Sequence, residues 1–125
     1  MEQREIKFRV WSQEYEKLIY FGFKELSNNR GEIEEANIDW LKSQQYTGLK
    51  DKKGNEIYEG DIVISENKIS LGEDAWEIIF EKGAFMIKRE NEYIPLYQIG
   101  TKNTILEDDK IKIIGNIYEN PELLK

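Results

Sequence analysis

Glu59-Gly60-Asp61, with Glu56 just before it, puts three carboxylates within a short stretch. Carboxylate oxygens at that density can hold a hard divalent cation such as magnesium. A second acidic run, Glu107-Asp108-Asp109, would supply the further carboxylates that a glycosidase or metal-dependent nuclease needs, provided folding brought the runs together. The spacing fits neither a calcium loop nor a two-metal nuclease pattern. A charged corner before a buried strand accounts for the first run and a solvated loop for the second. The chain has no histidine and no cysteine, which excludes Ser-His-Asp and Cys-His nucleophiles, disulfides and the usual zinc ligands. Catalysis would fall to carboxylates, Lys, Tyr or Ser/Thr. The expectation is therefore a protein without catalytic residues, metal or cofactor, a metal-dependent carboxylate hydrolase being the least favoured alternative.

A binding surface is the other chemistry within reach. Tyr46-Thr47-Gly48-Leu49-Lys50-Asp51 groups a ring, a hydroxyl and a carboxylate around a glycine that admits close backbone approach, although a strand entering a turn explains the same residues. Lys50, Lys52 and Lys53 form the densest basic group, at a hairpin tip beside Asp51 and Glu56. Candidate partner-binding residues are thus Tyr46, Lys50, Asp51, Lys52, Lys53, Asn55 and Tyr58. Three Trp, seven Tyr and five Phe could stack on single-stranded nucleic acid. Yet 25 acidic residues against 18 basic ones, a net charge of −7, repel phosphates on average. Core packing is the reading for most aromatics, and a protein partner is favoured over nucleic acid.

The elements that would position these residues are mostly strands. Glu5 to Trp11 alternates, with Ile6, Phe8 and Val10 on one face and Glu5, Lys7 and Arg9 on the other; Leu18 to Phe23 should pair back on it as a hairpin. Ser27 to Gly31 is a loop, and 32–43 fits neither period, leaving a short strand or one helical turn. Tyr46 to Leu49 and Ile57-Tyr58 flank a turn whose Gly54-Asn55 would supply positive φ, and Gly48 and Gly60 mark corners, the latter turning Asp61 into the strand Ile62-Val63-Ile64. A polar loop from Ser65 to Asp74 follows. Trp76 to Glu81 and Ala84 to Arg89 flank Lys82-Gly83 as a hairpin, with Trp76, Ile78 and Phe80 on one face. Pro95 confines the strand after Tyr93 to an edge. The last strand, Ile111 to Tyr118, carries a bulge at Gly115 beside Asn116, and Asn120-Pro121 opens a final helical turn. Strands this short and regularly spaced suggest a small barrel. With 125 residues the chain fits one core, divided here into an N-terminal β-hairpin segment, 1–44, and a barrel domain, 45–125. The sequence shows no signal-like or membrane-spanning apolar run, so the bacterial cytoplasm is the expected location, without a membrane partner. Self-association is open to a small β protein with aromatic edges.

Three blocks together resemble the YopX family of phage and prophage proteins: Arg4 to Trp11, Gln45 to Val63, and Ile114 to Leu124. Within them Gly48, Gly54, Gly60, Asp61, Gly115, Asn116, Asn120 and Pro121 read as turn and signature positions. The resemblance implies a mainly β fold with little helix, its C-terminal part an SH3-type barrel behind a more variable N-terminal β segment. It implies no activity or ligand, which leaves a non-enzymatic accessory or protein-interaction module as the expected function and a nucleic-acid-binding barrel as the alternative.

Overall fold

A computed structural model describes residues 5–28, 38–68, 71–96 and 110–125. The protein is mainly β, with two antiparallel sheets, one of them curled into a half-barrel. Strands β1 (Lys7–Ser12) and β2 (Lys17–Gly22) pair from Lys7↔Gly22 to Ser12↔Lys17. Phe23, which the sequence assigns to this strand, instead opens a short helix α1 (Phe23–Asn28), with the Glu25 carboxylate accepting the Gly22 N–H at 3.1 Å. Trp40–Lys42 forms a 3-10 turn capped by Asp39, and Ile38 makes an isolated bridge to Ser12. Strands β3 (Gln44–Lys50) and β4 (Glu56–Tyr58) complete the first sheet in the order β2-β1-β3-β4. The second sheet comprises β5 (Asp61–Ser65), β6 (Trp76–Glu81), β7 (Ala84–Arg89), β8 (Glu92–Pro95) and β9 (Ile111–Asn116), in the order β8-β7-β6-β5-β9.

Local chemistry explains most of these boundaries. Lys82 and Gly83 both have positive φ, at 53° and 79°, as a two-residue hairpin turn requires between Glu81 and Ala84. β8 is an edge strand ending on Pro95. Ile62 pairs with Gly115 but Val63 with Ile113, so the extra residue at Ile114 makes the bulge next to Gly115. Of the Gly54-Asn55 pair, only Gly54 takes positive φ, at 88°. The reason is that Asp51 performs the rest of the turn: its Oδ1 accepts the Lys53 and Asn55 N–H groups at 2.9 and 2.8 Å. The acidic run Glu107-Asp108-Asp109 lies outside the described residues.

The principal core gathers Ile57, Val63, Leu71, Trp76, Ile78, Ile87, Leu96 and Ile111, with Leu49 packed against it, so the β3–β4 hairpin covers the half-barrel's interior. Leu71, within the expected polar loop, is buried, and its carbonyl accepts the indole N–H of Trp76 at 3.1 Å. A smaller cluster of Val10 and Phe21, flanked by Phe8, Ile19, Leu26 and Ile38, lies on one face of the β1–β2 hairpin. The opposite face carries Lys7, Arg9 and Trp11: Lys7 pairs with Glu56 of β4 at 2.5 Å within the same sheet, whereas Trp11 meets the half-barrel side, stacking on Tyr118 at 5.4 Å between centroids.

Candidate functional site

Of the turn and signature residues, Gly54, Asp61, Gly115 and Asn116 line one cleft with Arg9 of β1, beside the β4–β5 corner at Gly60, whereas Gly48 lines a different groove. Gly60 turns this corner with a φ of 84°, its N–H donating to the Ile78 carbonyl at 2.8 Å and its carbonyl accepting the Ile117 N–H at 2.9 Å. The corner aims Asp61 inward, where its Oδ2 accepts the Tyr58 N–H at 2.7 Å and its Oδ1 pairs with Arg9 Nη1 at 2.9 Å. Arg9 is 3% exposed, and its remaining nitrogens are also fixed: Nε donates to Gln44 Oε1 at 2.7 Å, and Nη2 to the Glu59 carbonyl at 3.0 Å. Its guanidinium lies 5.0 Å from the Tyr58 ring centre. The Glu59 carboxylate turns back to accept the Gln45 N–H at 2.8 Å.

Burial sets the electrostatics here. It pushes the Asp61 carboxyl above its ordinary value against the opposing pull of Arg9. Glu59 is raised by burial as well, opposed by the Gln45 N–H and Arg9. The Tyr58 phenol is pushed up to about 12 by burial and by nearby Glu56, so it stays a neutral hydrogen-bonding group. A cleft of about 450 Å³ opens over this network, walled by Tyr20, Asn55, Glu56, Tyr58, Ile113 and Asn116. Tyr20 meets Tyr58 edge to face at 5.4 Å between centroids. The acid, base and amide groups facing this cleft are largely bonded to one another, an arrangement that holds elements together. Among the described residues, no three acidic side chains gather as a metal-binding group.

A parallel arrangement organises the neighbouring turns. Asp51 is buried, its Oδ2 accepting the Asn55 side-chain amide and the Ile113 N–H at 3.3 and 3.2 Å, while the Lys52 N–H donates to the Ile111 carbonyl at 3.0 Å. Asn116 Oδ1 accepts the Tyr118 and Glu119 N–H groups at 3.0 and 2.9 Å. Asn120 precedes the 3-10 turn Pro121–Leu124 but does not cap it; its Oδ1 accepts the Asn116 N–H at 3.3 Å instead. That oxygen lies 2.5 Å from where a Cβ on Gly115 would stand, which is why glycine fits the bulge.

Of the candidate binding residues, Tyr46, Asp51 and Tyr58 are buried, whereas Lys50, Lys52, Lys53 and Asn55 are exposed, Lys52 being paired with Glu66. Asn55 and Tyr58 share the cleft, while Tyr46 lines a different groove. Sequence reasoning missed Arg9, Gln44 and Tyr20. The available signal was Arg9's place inside a block that carries the resemblance, but strict alternation set it on the polar side of its strand.

Asp51 gives the first testable consequence. Burial raises its pKa, but the N–H groups of Asn55, Ile113 and Lys53 and the Asn55 amide outweigh it, and the net shift is below the ordinary 3.8. A carboxyl whose folded pKa is depressed stabilises above its unfolded value, and that contribution fades as pH falls through the folded one. Asp51→Ala should cost about 3 kcal/mol near neutrality, because several charge-assisted hydrogen bonds are lost from a buried turn. In denaturant titrations of both proteins the gap should then begin to narrow below pH 3.8, as pH approaches the depressed folded value. A gap independent of pH would refute the electrostatic account.

The second opening is a groove of about 650 Å³ between β3 and the β6–β7 hairpin, lined by Thr47, Gly48, Leu49, Phe80, Phe85 and Pro95 among others. Phe80, expected on the buried face with Trp76 and Ile78, is half-exposed here at the hairpin tip and touches Phe85 edge to face. No helix among the described residues is long and apolar enough to cross a membrane.

A sequence model of the YopX protein family matches residues 7–125. The chain is also similar to the crystal structure of protein EF1440 from Enterococcus faecalis, with a TM-score of 0.59 and 24% identity, over 96% of this chain and 98% of that one. At that identity the likeness shows the fold alone. No curated protein matches the sequence.

Proposed function

The chain belongs to the YopX protein family, and from that membership and the geometry we propose a non-enzymatic protein-interaction module of a phage or prophage, working in the cytoplasm of the bacterial host. The observation that carries this reading is the contrast between the two openings. The one over the signature residues is walled by groups committed to one another, Arg9 to Asp61, Gln44 and Glu59 and Asp51 to its own turn. The β3 groove presents half-exposed Phe80 beside Leu49, Phe85 and Pro95, an apolar floor with the backbone of Thr47 to Leu49 along one wall. β3 pairs with β1 only at Gln44 and Gln45, so its later residues have no β1 partner. Such a groove suits an extended segment of a partner protein, with main-chain bonds to the strand and an apolar side chain against Phe80. A net charge of −7 favours this over a nucleic-acid ligand.

Affinity capture from host lysate should recover a partner with the wild type, and Phe80→Glu should lose it while keeping its melting temperature. Equal recovery by both proteins would overturn the groove as the site. Salt-sensitive binding to single-stranded DNA, measured by anisotropy, would overturn the choice of a protein partner.

A further inference from the structure

Two sheets leave four edges, and three of them are guarded. β8 is short and ends on Pro95. β9 is covered by the 51–55 turn through the Lys52 to Ile111 and Ile113 to Asp51 hydrogen bonds. β4 has only three residues, and its Tyr58 N–H is taken by Asp61. Among the described residues, β2 has none of these defences. It is six residues long, its register with β1 is unbroken, and among the described residues no strand pairs with its outer side. In a chain with 25 acids it carries none, and its one charge, Lys17, stands at its start. A regular, apolar, unprotected edge is a template for strand pairing.

We propose that β2 pairs antiparallel with β2 of a second copy of this chain, joining two four-stranded sheets into one across a two-fold axis at Tyr20. The strand's own pattern selects a second copy. A two-fold axis perpendicular to the sheet requires a residue to face its own counterpart, and centring on Tyr20 sets Ile19 opposite the partner's Phe21 and Leu18 opposite the partner's Gly22. Ile19 and Phe21 belong to the smaller apolar cluster, which this register extends across the junction. No like charges face each other within the strand. Both ends of β2 carry mixed charge, Glu14, Glu16 and Lys17 at its start and Lys24 with Glu25 just after, where Glu25 is taken by the Gly22 N–H. Antiparallel pairing brings Glu16 of one copy toward the partner's Lys24. Tyr20 packs edge to face on Tyr58 yet remains 54% exposed, which leaves surface to meet its counterpart.

The test uses charge at position 20. Light scattering of the full chain should give a dimer whose population grows with concentration. Tyr20→Lys and Tyr20→Glu each set like charges opposite themselves and should raise the dissociation constant about tenfold or more. Mixing the two variants should restore a dimer containing one of each, a result that a misfolded variant cannot give. A wild type that stays monomeric at its highest soluble concentration overturns the proposal, as does one that pairs through β2 only with a strand of another protein. A dimer that both variants retain unmixed overturns it too.

Discussion

Arg9→Met should destabilise the protein by about 3–5 kcal/mol, because it leaves the Asp61 carboxylate buried without its cation. Asp61 and Arg9 are each 3% exposed and 2.9 Å apart, so water cannot replace the missing partner. The loss extends beyond one ion pair, since Gln44 Oε1 and the Glu59 carbonyl also forfeit donors. Arg9→Lys should recover little of it, as one ammonium cannot reach three acceptors lying in different directions. Pairing Arg9→Met with Asp61→Leu should recover much of the loss, because both charges are then absent and the groups left unmet, the Tyr58 N–H, Gln44 Oε1 and the Glu59 carbonyl, are all neutral. Chemical denaturation of the wild type, Arg9→Met, Asp61→Leu and the double variant measures the coupling. A single-variant cost below about 1 kcal/mol would show that the pair behaves as a surface salt bridge.

Gly60→Val should be nearly as damaging, at about 3 kcal/mol, from two separable causes. A β-branched residue at a φ of 84° is strained by a few kcal/mol. In addition, a Cβ at Gly60 would stand 2.1 Å from Gln44 Nε2. A free glutamine would swing aside, but Gln44 is buried and holds Arg9 through its Oε1, so displacing it loosens the ion-pair network. Gly60→Ala in a Gln44→Ala background isolates the backbone strain. If it costs as much there as in the wild type, the collision with Gln44 contributes nothing.

The strands were legible wherever local chemistry decides them. Alternation marks β1, Lys82-Gly83 marks the β6–β7 turn, and Pro95 marks an edge. Gly60 was legible as a corner because almost no other residue tolerates its backbone. The site was much less so. Arg9 and Asp61 are 52 positions apart (61 − 9 = 52), and no periodicity links them. Arg9 was assigned to a polar face because alternation cannot tell a face that meets water from one that meets another sheet. Asp51 read as part of an exposed tip for a similar reason: turn composition names aspartate without saying that its second oxygen is held by β9, at Ile113. Phe80 erred in the opposite direction, since an apolar residue in register with Trp76 can still emerge at a hairpin's end.

The stack of Trp11 on Tyr118 carries a consequence for how the chain reaches this state. Its two rings are nearly parallel, 7° apart, and separated by 107 positions (118 − 11 = 107). Contacts this distant in sequence demand closure of a very long loop before they repay it, which places the protein among slow-folding topologies. During synthesis, β1 and β2 emerge long before Tyr118 does, and at about 5–20 residues per second the hairpin waits several seconds or more for its final contact. Arg9 waits only until Asp61 emerges, whereas Trp11 waits 57 residues longer for Tyr118 (118 − 61 = 57), so the Trp11 end of this face stays uncovered for most of synthesis.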